Sequence, residues 1–271
     1  MLMESASRDN VAANWSAVVA LSLCVFVLIA SEFLPVSLLT PIASELALSE
    51  GQAGQAISIS GLFAVVTSLF ISYLSRTIDR KTVLLSLTGL MCVSGIVVAL
   101  APNYPALMFG RALLGIVIGG FWSMSTAIVM RLVPEDTVPK ALAFLNGGNA
   151  LAATIAAPLG SFLGGLIGWR GAFFCVVPLA AIVAIWLAFS LPRMQGGNAS
   201  GATATFRLLA RPVVAIGMAA VLFLFMGQFA LFTYLRPFLE TATRVDVPTL
   251  SLLLLVVGVA GLVGTMFMDR S

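Results

Sequence analysis

Apolar residues run through this chain in eight long stretches, at about 15–41, 52–74, 82–101, 106–130, 141–167, 171–190, 213–236 and 249–268. Each approaches or exceeds the roughly 20 residues that an α-helix needs to cross a bilayer's hydrocarbon core. The apolar positions are continuous rather than alternating, so the pattern predicts spanning helices and not the strands of a barrel. Breaks are expected at Pro41, at 75–81, at Pro102 and Pro105, at Pro134 and Pro139, and at Pro192. The longest polar stretch, 191–212, is rich in Gly, Ala, Ser and Thr and reads as a flexible linker. It divides six spans (1–190) from two (213–271).

Composition agrees with the pattern. Apolar residues make up 60% of the 271 and charged ones only 9%, where soluble domains carry about 25%. The chain therefore reads as an all-α, multi-pass membrane protein. Its net charge of +3 does not point to nucleic acid, because the basic residues lie in short segments between spans. With the N-terminus inside, ten Lys and Arg fall on the inner side (Arg8, Arg76, Arg80, Lys81, Arg131, Lys140, Arg193, Arg207, Arg211, Arg270) and three on the outer (Arg170, Arg236, Arg244). That bias predicts a cytoplasmic N-terminus and a cytoplasmic linker.

Two ionisable residues lie deep in spans, and each needs a reason. A charge at the bilayer centre costs roughly 2.5–3.5 kcal/mol on insertion scales, so such residues usually face a cavity or a partner. Glu32 is about two-thirds of the way along the first span, and Arg111 is near the outer end of the fourth, at similar depth and of opposite sign. A glutamate exchanges protons and an arginine does not, which makes Glu32 the candidate carrier and Arg111 its partner. The chain has no histidine, and Cys24, Cys92 and Cys175 are scattered through apolar runs. Neither a metal site nor a cofactor is expected. GxSxG, HExxH and P-loop patterns are missing from the sequence, so an enzyme or an ATP-driven pump is not expected either.

Trp122, Asn146, Asn149, Gln228 and Tyr234 place amides and aromatic rings in otherwise apolar spans and are candidates for lining a substrate path. A short internal repeat joins the first and seventh spans. Glu32-Phe33 precedes Pro41, and Gln228-Phe229 precedes Pro237, with the same nine-residue separation. Thr40-Pro41 and Arg236-Pro237 are expected to close both helices at the outer face. Such repeats are the mark of transporters built from two related halves.

These residues resemble the major facilitator superfamily, in its twelve-helix drug/proton antiporter branch. Leu107, Arg111 and Gly115 follow the fourth-helix pattern L-x-x-x-R-x-x-Q-G, with Leu114 at the Gln position. Pro158-Leu159-Gly160, then Gly168-Trp169-Arg170 and Phe173, resemble the fifth-helix antiporter motif and its outer loop, with Ala156-Ala157 for Gly-Pro and Ser161 for the last Gly. In the loop motif G-x-L-A-D-R-x-G-R-K, Leu74, Arg80 and Lys81 fit, while Arg76 holds the Asp position and Asp79 the Gly. The resemblance implies a conformational gate involving Asp79, Arg80, Pro158 and Gly160. The stretches SEFLPVSLLTPIA, GGFWSMSTAIVMRLVP, TVPKAL, AAPLGSFLGGLIGWR and FRLLARP are similar to purine ribonucleoside exporters of the branch, with sugar and drug exporters next. The resemblance thus implies a proton-coupled efflux antiporter of the bacterial inner membrane, acting on small polar solutes and meeting lipid but no nucleic acid. The family has two six-helix halves, so eight spans also imply a C-terminally truncated chain, and with it the alternative of an inactive product.

Overall fold

The structure, a computed structural model, describes residues 13–74, 77–194 and 210–268. Every regular element among them is helical: α1 (Trp15–Glu45), α2 (Glu50–Leu74), α3 (Arg80–Ala99), α4 (Tyr104–Leu132), α5 (Val138–Ser190), α6 (Pro212–Phe238) and α7 (Val247–Met268). A short 3₁₀ turn (Glu135–Thr137) leads into α5 and a π-turn (Leu239–Thr243) ends α6. Among the described residues, six helices are long and apolar enough to cross a membrane. Of the expected linker, 195–209 lies outside the described residues, as do Arg8, Arg76, Arg207 and Arg270 from the charge pattern.

The two spans expected at 141–167 and 171–190 meet at Gly168, whose φ of 75° and ψ of 164° suit glycine alone. Contacts with α1 show that the chain folds back there. In the first arm, Lys140 lies over the Trp15 ring, Ser22 donates to Phe144 O, and Gly160 meets Leu34 and Ser37. That arm thus runs parallel to α1 and reaches its far end, where Trp169 Nε1 donates to Glu45 Oε2 at 2.7 Å. In the second arm, Trp186 Nε1 donates to Ser16 Oγ and Ser190 O accepts from Asn14, so this arm returns to the start of α1. The bundle accordingly has a Trp15 end and a Glu45 end.

At the Trp15 end, Asn14 ties three helix termini together. Its side chain caps α1 by accepting from Ala17 N, its amide donates to Ser190 O, and its backbone N–H donates to Leu132 O. At the Glu45 end, Arg170 donates to Glu45 and to the Ala99 and Ala101 carbonyls, closing the tip of α5 over α1 and α3.

The break expected at Pro41 is corrected by the structure, in which α1 continues to Glu45. Proline removes one N–H and leaves the carbonyl four residues back without its helical partner. A helix passes through when something else receives that carbonyl. Pro35 and Pro41 are both inside α1, and buried arginines donate to Ser31 O and Ser37 O, the two carbonyls they leave free. The seventh span ends beside the expected Pro237: α6 stops at Phe238, and the π-turn Leu239–Thr243 follows it. That turn ends at Arg244, in the left-handed region at φ 50°.

Burial places α1 at the centre: 67% of its apolar window is buried, against 0% for the window of Pro212–Thr243. Helix α6 touches the bundle chiefly through its last turns, and residues 213–228 are exposed along their length except for the half-buried Val214. Helix α7 packs on the first arm of α5, with Gly258 against Thr154 and an apolar contact of Leu250 and Leu254 with Ala157.

Candidate functional site

The site is built on a close approach of α4 to α2. A Cβ at Gly115 would stand 2.2 Å from Ser60 O, and one at Gly119 would stand 2.1 Å from Ala64 O. Only hydrogen at those positions lets the two backbones meet. Arg111 is one turn before Gly115 on the same α4 face, so the approach carries its guanidinium between α1 and α2. There it is 1% exposed.

Every contact of that guanidinium has a reason. Arg111 Nη2 donates to Glu32 Oε2 at 2.5 Å and to Ser60 Oγ at 3.2 Å. Nε donates to Ala56 O and Nη1 to Ser31 O, both at 2.9 Å. Ser31 O is the carbonyl that Pro35 leaves free. The second oxygen of Glu32, Oε1, accepts from Ser60 Oγ at 2.7 Å. Glu32 is 9% exposed, so the pair has little water and relies on this fork geometry. Buried pairs are costly to desolvate, and removing one partner typically costs about 3–5 kcal/mol.

A second polar cluster lies nearer the Glu45 end and joins α1 to α6. Arg236 donates through Nη1 to Ser37 O, the carbonyl that Pro41 leaves free, and through Nε to Glu240 Oε1 at 2.7 Å. Thr40 Oγ1 donates to Glu240 Oε2 at 2.6 Å. Beside it Phe33 stacks on Phe229, centroids 6.0 Å apart, and the Tyr234 hydroxyl lies against Gly54 of α2. Arg236, an outer-loop cation in the charge pattern, is instead in the last turn of α6 and 7% exposed.

The residues that the sequence singles out divide into groups. Glu32 and Arg111 are brought together, and Ser60 is the member that sequence reasoning missed. Thr40 and Arg236 stand out in the sequence for their place before proline, but their link through Glu240 does not. The signal is available in the four-residue spacing of Arg236 and Glu240, which puts opposite charges on one helix face.

A cleft of about 580 Å³ opens at the Trp15 end between α1 and α5, lined among others by Ser22, Phe26, Lys140, Phe144, Gly148 and Leu151. Trp122, Asn146, Asn149, Gln228 and Tyr234 are not among its lining residues. Trp122 packs edge-to-face on Phe121, Asn146 and Gln228 are exposed, and Asn149 is half-buried. The four gate candidates lie in two places. Asp79 caps α3 by accepting from Lys81 N, and Arg80 N donates to Met194 O, both at the Trp15 end. Pro158 is buried in the first arm of α5, and a Cβ on Gly160 would stand 2.5 Å from Ser37 Oγ.

Comparison with known proteins gives this architecture a family. The model of the Major Facilitator Superfamily matches residues 21–270. The chain is 59% identical over 261 residues to the Transcription regulatory protein OpdE of Pseudomonas aeruginosa, covering 95% of this chain and 65% of that one. It is 45% identical over 267 residues to the Purine ribonucleoside efflux pump NepI of Salmonella paratyphi B, covering 98% of this chain and 67% of that one. It thus spans about two-thirds of these relatives' length. Among solved structures, the fold resembles a bacterial homolog of the human lysosomal transporter Spinster, inward-facing and unoccupied, with TM-score 0.78 at 18% identity over 95% of this chain and 63% of that one. It also resembles a D-xylose–proton symporter, with TM-score 0.73 at 16% identity over 96% of this chain and 70% of that one. A buried Arg111 at the family's fourth-helix position, an all-helical bundle and a match over nearly the whole length lead to one conclusion: the chain belongs to the Major Facilitator Superfamily.

Proposed function

We propose that this chain is built as a proton-coupled efflux antiporter of the bacterial inner membrane, with purine ribonucleosides as its substrate class and its N-terminus in the cytoplasm. The observation that carries the reading is the Glu32–Arg111 pair at 2.5 Å inside the bundle. A carboxylate there has no packing purpose, and a proton is the one ligand that switches its charge. Protonation removes the attraction that holds α1 against α4, and deprotonation restores it. The substrate class rests on the 45% relative named a purine ribonucleoside efflux pump.

In this reading residues 1–190 form one six-helix half and 213–271 the first part of a second. The halves touch through Arg236, Glu240 and Thr40 toward the Glu45 end and through α7 on the first arm of α5, while the start of α6 stands free of the bundle. With the Trp15 end cytoplasmic, this is an inward-open arrangement whose outer side is closed. The cleft along α1 and α5 is then the approach for a substrate leaving the cytoplasm.

The 59% relative is named for regulating transcription. An exporter changes the cytoplasmic level of whatever it carries, so the reading proposed for this chain is compatible with a relative of that name.

The test is reconstitution of the purified protein in liposomes under an imposed proton gradient, with labelled guanosine and inosine and a pentose as competitor. Gradient-driven nucleoside movement that Glu32→Gln abolishes supports the reading. Undiminished coupled transport by Glu32→Gln overturns the carrier role, and competition by the pentose moves the substrate class to sugars. No transport above empty liposomes leaves residues 1–271 insufficient for export.

A further inference from the structure

The Ser60 hydroxyl has one hydrogen and two acceptors at nearly equal distance. Its Oγ is 2.7 Å from Glu32 Oε1 and 2.8 Å from Ile57 O, in a residue that is 0% exposed. Arg111 Nη2 donates to the same oxygen at 3.2 Å. The hydrogen occupies one position at a time, and the charge on Glu32 decides which. An ionised carboxylate draws it, because hydrogen bonds to a charged acceptor are roughly twice as strong as neutral ones. A protonated carboxyl brings its own hydrogen to the contact. Ser60 then turns its hydrogen to Ile57 O and accepts from Glu32 through a free lone pair.

We propose that Ser60 is the positioning residue of the Glu32 proton, a two-position hydroxyl that stays bonded in both charge states. The proposal rests on the reading of Glu32 as the proton carrier. Rotation of one hydrogen lets the carboxyl load and unload without leaving a buried polar atom unpaired. It also passes the charge state of α1 to α2, whose backbone is held in reach by Gly115. Among the described residues the charged group in contact with Glu32 is Arg111 on α4, and the Arg236–Glu240 pair of α6 and its π-turn lies further toward the Glu45 end, against Ser37 and Thr40.

Ser60→Ala takes one donor from the carboxylate, and Ile57 O keeps its ordinary helical partner. Both forms lose a bond, but the ionised form loses the stronger, charge-assisted one, so protonation should occur about one pH unit higher. Ser60→Thr keeps the hydroxyl and should titrate with the unaltered protein. The readout is infrared difference spectroscopy of the purified protein, following with pH the carboxylic-acid band that Glu32→Gln removes. An upward shift in Ser60→Ala with Ser60→Thr unmoved supports the proposal, whether or not the same preparation transports. An unmoved band in Ser60→Ala, or equal shifts in both variants, overturns it. A chain with no such band overturns both Ser60's role and the carrier reading. If Ser60→Ala does not fold, Ser60→Cys serves instead, its weak donor giving an upward shift as well.

Discussion

Arg236 donates to the Ser37 carbonyl that Pro41 leaves without a helical partner, and this bond ties α6 to α1. The proline and the arginine therefore act as a unit although they lie on different helices. In Pro41→Ala, α1 recovers an N–H for Ser37 O, and Arg236 must share that acceptor. In Arg236→Ala, Glu240 keeps only the Thr40 hydroxyl. Both variants should loosen the contact between α1 and α6, Arg236→Ala more. With Cys24, Cys92 and Cys175 replaced, spin labels at positions 30 and 226, which leave the Phe33–Phe229 stack in place, should report a longer and broader distance distribution in each. An unchanged distribution in Arg236→Ala would mean that the aromatic stack alone sets the contact.

Glu32→Gln and Arg111→Ala should separate chemistry from stability. Glutamine retains an acceptor for Arg111 or for Ser60 but not the counter-charge of the buried guanidinium, so the fold should lose about 1–3 kcal/mol, the scale of a hydrogen bond to a charged group. Arg111→Ala strands the Glu32 carboxylate and frees two backbone carbonyls, and should cost about 3–5 kcal/mol. Arg111→Lys should fall between them, because one ammonium cannot reproduce a planar fork that reaches Ser31, Ala56 and Glu32 together. Unfolding midpoints in detergent should therefore rank Glu32→Gln above Arg111→Lys above Arg111→Ala.

Glu32 and Arg111 are legible in the sequence because a charge inside a long apolar run is conspicuous and demands an opposite partner. Ser60 is not, since a helical serine can satisfy itself on a carbonyl three or four residues back, and so gives no sign of a second bond. Pro41 misleads as a helix end for a related reason. A proline stops a helix only if its stranded carbonyl stays unpaired, and the arginine that receives Ser37 O is about 200 residues away in sequence. The amides at Asn146 and Asn149 stand out as polar residues in an apolar span, but polarity does not say which way a helix face turns, and the structure leaves both out of the cleft.

The approach of α4 to α2 gives a steric prediction. Gly119→Ala would bring a methyl group to 2.1 Å from Ala64 O, which is backbone and cannot swing aside. The helices must part, at a cost of about 1–3 kcal/mol. Gly115→Ala meets Ser60 O in the same way at 2.2 Å. It should additionally pull Ser60 from Glu32, so its infrared titration should follow that of Ser60→Ala, whereas Gly119→Ala, displaced one turn along the helix, should mainly lower the unfolding midpoint.

Gly168 tests whether the tip of α5 is held by backbone geometry or by its clasp. Its φ of 75° and ψ of 164° belong to a region that side-chain-bearing residues enter at about 1–3 kcal/mol. No atom lies within 4 Å of where a Cβ would stand, so Gly168→Ala carries strain without a clash. The clasp beside it is broken by Glu45→Gln, which takes the charge from the acceptor of Trp169 and Arg170. Arg170 is one-third exposed and Glu45 about half, so screening should hold that loss to roughly 0–1 kcal/mol. Gly168→Ala should therefore lower the unfolding midpoint more than Glu45→Gln does. The reverse order would show that the side-chain clasp, and not the glycine, fixes where the two arms of α5 turn.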